Sequence, residues 1–316
     1  MRKIALEEHF TTPELAKYVA RPTQSDSIFA DIEKRLADFD QLRLETMDKA
    51  GIDVAVLSVT TPGVQSEPDA KLAVGLARSA NDLLAREVQK RPYRYAGFAH
   101  VAMQDVGAAA DELQRAIRDL GFKGALINGQ TGGHYLDEDQ YLPFWERVQE
   151  LDVPVYLHPG GLVDHPAMFA NRPELNGPTW AWTVETATHA LRLVFGGTFK
   201  RFPKVKVILG HMGETLPFLL WRFDSRAQLQ VGKEIAPGSR PSDIIRRNIV
   251  ITTAGVCAPD PLVEAIGALG EDSVMFSVDY PYEDTQVAAD FIDSAPISEA
   301  LRAKVCHGNA ERLLRL

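Results

Sequence analysis

Residues Lys3–His9 read KIALEEH, a short apolar run that ends in acidic and imidazole side chains. Seven further runs of similar apolar character follow along the chain. Several of them are apolar without strict alternation, which is typical of parallel strands that are buried on both faces. We therefore predict eight parallel strands. The other seven are Val54–Thr60, Tyr95–Val101, Gly124–Asn128, Val153–His158, Val205–His211, Asn248–Thr253 and Val274–Asp279.

Segments with a helical spacing of apolar residues separate these predicted strands. Alternation of strand and helix around eight strands indicates an α/β fold, a closed (β/α)8 TIM barrel, in one domain over 1–316. An open, doubly wound sheet is the alternative, because a strand count made from sequence can be wrong by one or two. The predicted helices are Asp69–Lys90, Val106–Leu120, Tyr141–Leu151, Thr183–Lys200, Leu216–Val231, Pro259–Leu269 and Thr285–Ser294.

Two connections are longer than the others, and they follow the first and the fifth predicted strand. Phe10–Ala50 contains a helical stretch near Ser27–Ala50, and Pro159–Trp182 is rich in Pro, Gly and Trp. In a barrel of this kind the loops that follow the strands form the active-site face. We expect both connections to form walls of a pocket.

The composition narrows the classes of partner and location. With 45% hydrophobic residues and a formal net charge of -9, the chain has a large core and no overall attraction for phosphate backbones, so no nucleic-acid partner is expected. No stretch approaches the roughly 20 apolar residues that a membrane helix needs, so no membrane partner is expected either. The two cysteines, Cys257 and Cys306, form no CxxC pair, which favours a reducing, cytoplasmic location.

Polar side chains end four of the predicted strands. They are Glu7 and His9, His158, His211 and Asp279. Because residues i and i+2 of a strand point to the same side, Glu7 and His9 share a direction. Strand ends converge on one mouth in a closed barrel, and carboxylates and imidazoles gathered there are suited to a divalent transition metal.

Each of these residues also has an ordinary structural interpretation. A single histidine is more often a hydrogen-bonded core or surface residue than a ligand, and Asp279 before Tyr-Pro is typical of a turn. Unpaired polar groups inside a barrel mouth cost several kcal/mol, so their joint placement is improbable without a function. The combined pattern therefore favours a metal site. Glu8, between the two candidate ligands of the first strand, is expected to point the opposite way.

Several motifs carry a resemblance to a known family over nearly the whole chain. On these motifs the sequence resembles the amidohydrolase superfamily, and within it the metal-dependent decarboxylases of aromatic acids and semialdehydes. It is most similar to the hydroxybenzoate decarboxylases. The motifs are ALEEHF at Ala5–Phe10, YLHPG at Tyr156–Gly160, ILGHMGE at Ile208–Glu214, LLWR at Leu219–Arg222, SVDYPYE at Ser277–Glu283 and GNAERLL at Gly308–Leu314.

The resemblance implies a set of metal ligands and a catalytic pair. The implied ligands are Glu7, His9, His158 and Asp279, and the implied active-site histidine and its acidic partner are His211 and Glu214. Hydrolytic relatives with two metals carry a carboxylated lysine on the fourth strand, whereas this strand ends in Asn128. We therefore expect one divalent ion, Zn or Mn, since nitrogen and oxygen ligands without sulfur suit both.

The resemblance also implies residues that contact the substrate. Arg222 is the implied substrate-facing arginine, and Phe10, Phe29, Trp180 and Trp182 are candidate walls for an aromatic ring. For at least two of these aromatic residues, ordinary core or interface packing is the competing interpretation. Asn128 completes the predicted substrate-binding set. Relatives of this kind imply a homodimer or a homotetramer.

The function implied is non-oxidative decarboxylation of an ortho-hydroxybenzoate. Loss of CO2 would leave an aryl carbanion, so an acid first protonates the ring carbon that bears the carboxylate. Asp279 is the candidate acid and His211 the alternative, while the metal serves as Lewis acid for the substrate oxygens. Two other hypotheses stay open at the level of sequence. One is hydrolysis of a lactone or amide at the same site, and the other is a metal-binding barrel without catalysis.

Overall fold

The computed structural model describes residues 1–19, 26–163, 166–229 and 239–316. Each of the eight predicted runs contains a β-strand, and most strands are shorter than the run because the run extends into a loop. The strands are β1 (Ile4–Phe10), β2 (Val54–Val59), β3 (Tyr95–Gly97), β4 (Ala125–Asn128), β5 (Val155–His158), β6 (Val207–Leu209), β7 (Ile249–Thr252) and β8 (Val274–Met275).

All neighbouring strands pair in parallel and in chain order. One sheet runs β1-β2-β3 and the other runs β4 to β8. Isolated parallel bridges join the two sheets on both sides, between Glu8 and Tyr280 and between Ala99 and Ala125. These bridges close the ring, which confirms the (β/α)8 barrel. The alternative of an open, doubly wound sheet is wrong, because such a sheet reverses its strand order and leaves two free edges.

Helices lie between the strands and pack around the outside of the barrel. They are α1 (Asp26–Leu36), α2 (Gln41–Ala50), α3 (Ala70–Lys90), α4 (Val106–Arg118), α5 (Leu142–Leu151), α6 (Ala181–Phe195), α7 (Thr198–Arg201), α8 (His211–Glu214), α9 (Leu220–Ala227), α10 (Pro241–Asn248), α11 (Pro259–Leu269), α12 (Thr285–Ser294), α13 (Glu299–Ala303) and α14 (Asn309–Leu314). Within the described residues, none of these helices has the length and apolar character needed to cross a bilayer.

Local sequence explains where several of these helices begin and end. Asp69 accepts a hydrogen bond from the Leu72 amide at 3.1 Å, and Asp105 accepts one from the Ala108 amide at 3.0 Å, so each caps the helix that follows it. The predicted helix Thr183–Lys200 is divided into α6 and α7. The division falls at Gly197, whose positive φ of 83° ends the first helix.

The predicted helices differ from the structure at two places. The short helix α10, Pro241–Asn248, was not predicted, because its eight residues are mostly charged and polar. Its sequence nevertheless carries a start signal, a proline at the first helical position. The predicted helix Leu216–Val231 is seen as a short 3-10 turn followed by α9, and its last two residues, Gln230 and Val231, lie outside the described residues.

The barrel interior is an apolar column that ends below the polar mouth. Ile4, Leu6, Phe98 and Ile208 belong to this inner cluster, and Leu314 of α14 covers its N-terminal end. A larger cluster fills the space between the strands and the outer helices. The interior is therefore a packed core, and the four grouped polar side chains, Glu7, His9, His158 and Asp279, stand at the C-terminal ends of the strands.

Both long connections follow the predicted strands, but only the second supplies walls to the cavity at the C-terminal face, since none of residues 10–19 and 26–50 lines it. The connection after β1 contains α1 and α2, and the connection after β5 contains three short 3-10 turns before α6. Within the second connection, Asp164 and His165 lie outside the described residues. Its last part brings Trp180 and Trp182 to the C-terminal face of the barrel, beside the predicted site.

Candidate active site

The first strand contains an irregularity that sets the direction of its polar side chains. Ala5 pairs with Ala55 of β2, but Glu8 pairs with Leu57, so three steps on β1 oppose two steps on β2. This is the pattern of a β-bulge, in which one strand carries an extra residue. Leu6 packs inside the barrel and the next residue, Glu7, also faces the interior mouth. Without the extra residue, alternation would place Glu8 inside.

Ser277, after β8, supports the bulge through its hydroxyl group. The Ser277 Oγ accepts hydrogen bonds from the amides of Leu6 at 3.1 Å and Glu7 at 2.6 Å. It donates to Glu8 Oε1 at 3.2 Å, and the same oxygen accepts the Val278 amide at 3.1 Å. Buried backbone amides need partners, and here a side-chain hydroxyl replaces the strand pairing that the bulge interrupts.

Arg43 of α2 lies buried behind the same strand. Its Nη2 donates to the His9 carbonyl at 2.5 Å, and its Nε donates to the Asp38 carbonyl at 3.1 Å. The guanidinium also lies 4.5 Å from the centre of the Tyr280 ring. Burial raises the pKa of Glu8 to about 8, while Arg43 and two hydrogen-bond donors oppose that shift. Arg43 thus anchors the end of β1 from outside the barrel.

Four side chains converge at the mouth of the barrel. Ligand atoms of Glu7, His9, His158 and Asp279 all lie within 4.8 Å of one another. His9 Nε2 is 3.2 Å from Asp279 Oδ1, and His158 Nε2 is 3.2 Å from Glu7 Oε1. Three of these buried atoms, Glu7 Oε1, His9 Nε2 and Asp279 Oδ1, make no hydrogen bond. Two carboxylates and two imidazoles in this arrangement fit one divalent ion.

The surroundings of the two imidazoles orient them for that role. His158 Nδ1 lies 2.9 Å from the Pro159 carbonyl, which can only accept a hydrogen bond, so Nδ1 carries the proton. His9 Nδ1 lies 3.3 Å from the Ser58 hydroxyl. In His158 the Nε2 lone pair is then free to bind a metal, and the Ser58 hydroxyl can accept a hydrogen bond from His9 Nδ1 and leave His9 Nε2 in the same state. Tyr156 donates its hydroxyl hydrogen to Glu7 Oε2 and fixes that carboxylate.

A short segment after β6 places the next histidine. A Cβ atom at Gly210 would lie 2.4 Å from Glu7 Oε2, so only glycine leaves room for this carboxylate. The following turn, α8, has positive φ at every residue, including 46° at His211 and 52° at Glu214. Such backbone costs about 1–3 kcal/mol per residue and is concentrated at functional sites. His211 was predicted inside a strand, but the strand ends at Leu209.

His211 faces the four-residue group and pairs with an acid on its other side. Its Nδ1 lies 2.6 Å from Glu214 Oε1, and its Nε2 lies 3.6 Å from both Glu7 Oε1 and Asp279 Oδ2. Burial disfavours the imidazolium, but Glu214 and Glu7 together raise the pKa of His211 well above its ordinary value. Burial likewise disfavours the Asp279 carboxylate, yet the adjacent imidazoles of His211 and His9 hold the pKa of Asp279 low.

A cavity of about 380 Å³ opens above this group. Trp180, Trp182 and Phe218 supply aromatic walls, while His211 and Asp279 lie at its floor. No lysine or arginine is among its lining residues in the part of the chain that the structure describes. The volume falls at the lower end of ligand pockets and suits a single aromatic ring. The remaining lining residues are Pro178, Thr179, Thr183, Met212, Thr215, Gly255, Val256, Pro261 and Glu283.

Comparison with known proteins bears directly on this site. The amidohydrolase family profile matches residues 9–316, which includes most of the barrel and three of the four grouped side chains. The chain belongs to the amidohydrolase family. A barrel whose strand ends gather histidines and acids around a metal position is the architecture expected for this family.

Relatives of this amidohydrolase are decarboxylases of hydroxybenzoates. The chain is 43% identical to a γ-resorcylate decarboxylase from Rhizobium sp. (strain MTP-10005), with 99% of this chain and 98% of the relative covered. A structure of 2,6-dihydroxybenzoate decarboxylase complexed with 2,6-dihydroxybenzoate has a TM-score of 0.95 and 42% identity, covering 100% of both chains. A dihydroxybenzoic acid decarboxylase from Polaromonas sp. JS666, with bound manganese and 2-nitroresorcinol, has a TM-score of 0.91 and 42% identity over 99% and 97%.

The predicted substrate contacts of this amidohydrolase are only partly brought together. Trp180 lines the cavity and is 45% exposed. Phe10 does not line it, because His9 faces inward and the next residue therefore faces outward, where it packs 5.3 Å from Phe39. Phe29 packs in a separate cluster behind Tyr282.

The two polar residues of the predicted substrate set also lie apart from the cavity lining. Asn128 ends β4 and is fully buried, with its Nδ2 3.5 Å from the Thr60 carbonyl. Arg222 is exposed on α9, on the outer surface of the chain. Within one chain, neither residue is placed to contact a molecule in the cavity.

Several residues of the site were not identified from the sequence. Tyr156 and Ser277 stand inside quoted motifs and are polar at strand positions, which was an available signal. Arg43 and Phe218 gave no such signal, because helical residues reach the site only through tertiary packing. Glu283 stands at the end of a motif and lines the cavity, where burial and then Asp279 raise its pKa.

Proposed function

We propose that this protein is a metal-dependent, non-oxidative decarboxylase of ortho-hydroxybenzoates of the dihydroxybenzoate type. The observation that carries the proposal is the four-residue group whose member Asp279 lines the floor of an aromatic-walled cavity of about 380 Å³. Its support is the set of relatives at 42–43% identity that act on dihydroxybenzoates. The preferred substrate in this proposal is 2,6-dihydroxybenzoate.

Glu7, His9, His158 and Asp279 are the proposed ligands of one divalent ion. Two carboxylates balance the charge of such an ion, and the imidazoles add no charge when Nδ1 holds the single proton. When bound, the ion supplies a Lewis acid for the carboxylate and ortho-hydroxyl oxygens of the substrate. We propose Mn rather than Zn, because the oxygen-rich set of ligands suits the harder ion and a relative binds manganese.

Asp279 and His211 are the proposed holders of a proton next to the substrate ring. Both line the cavity, and His211 Nε2 lies 3.6 Å from Asp279 Oδ2. Glu214 holds His211 through Nδ1, so the second nitrogen faces the cavity floor. We propose that Asp279 delivers the proton to the ring carbon and that His211 restores it, with direct delivery by His211 as the alternative.

The cavity walls orient the ring rather than bind its charge. Trp180, Trp182 and Phe218 offer flat apolar surfaces that hold an aromatic ring and exclude water. Arg222 is the proposed partner of the substrate carboxylate, although it is exposed within one chain. We propose that Arg222 reaches a substrate only in the assembled oligomer.

A homodimer or homotetramer is the proposed assembly. Phe218, which lines the cavity, is 54% exposed, and Trp221 on the following turn is 78% exposed. Large apolar side chains that are this exposed mark interaction surfaces when they are clustered. A cytoplasmic location is also proposed, in keeping with the two free cysteines, Cys257 and Cys306.

The first test is direct turnover. Protein freed of metal and reconstituted with Mn or with Zn is incubated with 2,6-dihydroxybenzoate, 2,3-dihydroxybenzoate, salicylate and 5-carboxyvanillate. We expect release of CO2 and formation of the matching phenol from at least one acid. If none is consumed while a lactone or amide panel is hydrolysed with incorporation of oxygen-18 from water, the decarboxylase proposal is wrong and the hydrolase alternative replaces it.

The identity of the residue that protonates the ring needs a measurement that is separate from CO2 release. The product phenol is incubated with enzyme in D2O, and exchange of the ring hydrogen is followed by nuclear magnetic resonance. We expect His211→Asn to slow exchange and to retain the metal, because His211 is not a proposed ligand. If His211→Asn abolishes exchange while Asp279→Asn keeps both metal and exchange, direct delivery by His211 replaces the proposal.

The assembly is tested by light scattering together with a substitution at the exposed surface. Trp221→Glu is expected to give a monomer, with Lys71→Glu on α3 as the matched surface control. Activity of Arg222→Met should fall even when the oligomer is intact. A wild-type monomer with full activity would contradict the proposed role of assembly.

A further inference from the structure

A second cavity, of about 440 Å³, lies at the opposite end of the barrel from the metal group. Its walls come from the end of α5, the residues before β6, the start of β8 and the C-terminal helix. Val250 and Met275, whose side chains fill the barrel interior, reach its inner surface. The cavity is therefore separated from the active-site mouth by the apolar column of the barrel.

Basic side chains outnumber acidic ones in the walls of this cavity. Five of the lining residues are basic and two are acidic, although the whole chain has 34 basic and 43 acidic residues. A local excess of positive charge in an acidic protein creates a field that attracts anions. The basic lining residues are Lys204, Lys206, Arg246, Arg312 and Arg315.

The two acidic residues of the cavity do not balance this charge. Asp152 is paired with Arg315, and Asp272 lies 3.7 Å from Arg312 Nη1 while it also accepts a hydrogen bond from Lys304 at 3.0 Å. Among the ion pairs of the described residues, none includes the remaining three basic residues, and Arg246 Nε donates instead to the Ala268 carbonyl at 2.8 Å. Those three are Lys204, Lys206 and Arg246.

Lys206 shows most clearly that negative charge is missing here. Its Nζ donates to the carbonyl oxygen of Arg247, which cannot neutralise an ammonium group. Burial lowers the pKa of Lys206, and the nearby guanidinium groups of Arg247 and Arg312 lower it further. Lys206 is half-buried while Arg247 and Arg312 are exposed, and a bound anion would offset the repulsion among these three cations.

Helix ends explain part of this charge but not all of it. Arg246 lies in the last turn of α10 and Arg312 in the last turn of α14, where cations stabilise the negative end of a helix. Lys204 and Lys206 belong to no helix, because they lie between α7 and β6. Their convergence with Arg246 and Arg312 needs a different explanation.

We propose that this cavity is a binding site for a small phosphate-type oxyanion, either free phosphate or the phosphate group of a small metabolite. The fork of an arginine guanidinium matches two oxygens of a phosphate, and the lysines add point charges. A volume of about 440 Å³ leaves room for a small organic group beyond the phosphate. The site does not depend on the proposed decarboxylase activity.

The test measures phosphate binding to the metal-loaded enzyme by calorimetry at constant ionic strength, with chloride as the balancing anion. Inorganic phosphate, glycerol phosphate and benzoate are compared. We expect wild-type enzyme to bind one phosphate with a Kd on the order of 1 mM or tighter. The double variant Lys206→Met/Arg246→Gln should bind at least about tenfold more weakly, because it removes two charge-assisted contacts.

A matched variant controls for the loss of two positive charges and for phosphate that binds at the metal site. Lys71→Met/Arg78→Gln removes one lysine and one arginine that are exposed on α3, and it should bind phosphate like the wild type. Tighter binding of glycerol phosphate would assign a phosphorylated metabolite, and equal binding would assign free phosphate. Equal binding in all three proteins, no binding to wild type, or benzoate binding as strong as phosphate binding would overturn the proposal.

Discussion

The strands β1 and β5 both deliver proposed metal-binding side chains to the same mouth, but they do so differently. In β5 the side chains alternate regularly, with Leu157 in the outer core and Tyr156 and His158 directed inward. In β1 the register shifts, and Leu6 and Glu7 face inward in succession. One strand contributes a single ligand with regular geometry, and the other contributes two ligands through a bulge.

The difference shows what the bulged strand needs in order to be stable. The His158 ring is held by the carbonyl of its own neighbour, Pro159, so β5 needs little outside help. The end of β1 depends on two groups from other elements. The Ser277 hydroxyl, which follows β8, accepts the Glu7 amide, and the Arg43 guanidinium of α2 binds the His9 carbonyl from outside the barrel. We therefore expect the metal site to be more sensitive to buried polar residues around β1 than to residues around β5.

The largest effects are expected for the ligands themselves, whichever strand carries them. Glu7→Gln and His158→Ala should each lower kcat/KM by about 1000-fold, or about 4 kcal/mol, because each removes one of four proposed ligands. Bound metal measured by elemental analysis should fall in parallel. A variant that retains full metal and full activity would remove that residue from the proposed ligand set.

Arg43→Met is expected to have the next largest effect, through stability. It leaves the His9 and Asp38 carbonyls without their donor, and it removes a buried cation that faces Glu8. Each buried acceptor that loses its donor costs about 1–3 kcal/mol, so the free energy of unfolding in urea should fall by about 2–6 kcal/mol.

The control for Arg43 is Lys49→Met, which removes an exposed charge from the same helix. This variant should change the free energy of unfolding by about 0.5 kcal/mol or less, as is usual for surface positions. If both variants unfold at the same urea concentration as the wild type, Arg43 does not support the end of β1.

The fold could be predicted from the sequence because short apolar runs that alternate with amphipathic helical segments are typical of buried parallel strands. The sequence also predicted that Glu7 and His9 face one way, which is a matter of spacing within one strand. The bulge could not be predicted from the sequence, because it depends on the pairing of β1 with both neighbours. The misplacement of Phe10 was avoidable, because the inward direction of His9 already implied an outward direction for the next residue.

Other parts of the site depend on contacts that no local pattern records. Arg43 lies 34 residues along the chain from His9, whose carbonyl it binds. The positive φ values from His211 to Thr215 hold the histidine outside the strand in which it was predicted. Arg222 is exposed in the single chain, so its predicted contact with the substrate stays a prediction that concerns the assembled protein.

Ser277→Ala is expected to weaken metal binding without unfolding the protein. The substitution leaves the amides of Leu6 and Glu7 without an acceptor, and substitutions that disturb the support of a ligand cost about 10–100-fold in metal affinity. Competition with a chelator measures this affinity. Ser273→Ala is the matched control, because its hydroxyl binds only the Leu269 carbonyl. Equal metal affinities in the two variants would show that the Ser277 hydroxyl does not position Glu7.

Glu8→Gln is expected to have the smallest effect, although it is the same substitution as Glu7→Gln one residue away. Glu8 faces away from the metal group, and its Oε1 serves as an acceptor for Ser277 and Val278. The amide oxygen of glutamine can accept both hydrogen bonds, so metal affinity and kcat/KM should stay within about twofold of wild type.

Glu8→Leu makes this test sharper, because it removes the acceptor but keeps a buried side chain of similar size. The Val278 amide would then lose its partner, at a cost of about 1–3 kcal/mol in the free energy of unfolding. If Glu8→Gln instead abolishes metal binding as Glu7→Gln does, both carboxylates serve the metal. The bulge would then not divide β1 into a metal-facing side and a supporting side, and the contrast with β5 would be lost.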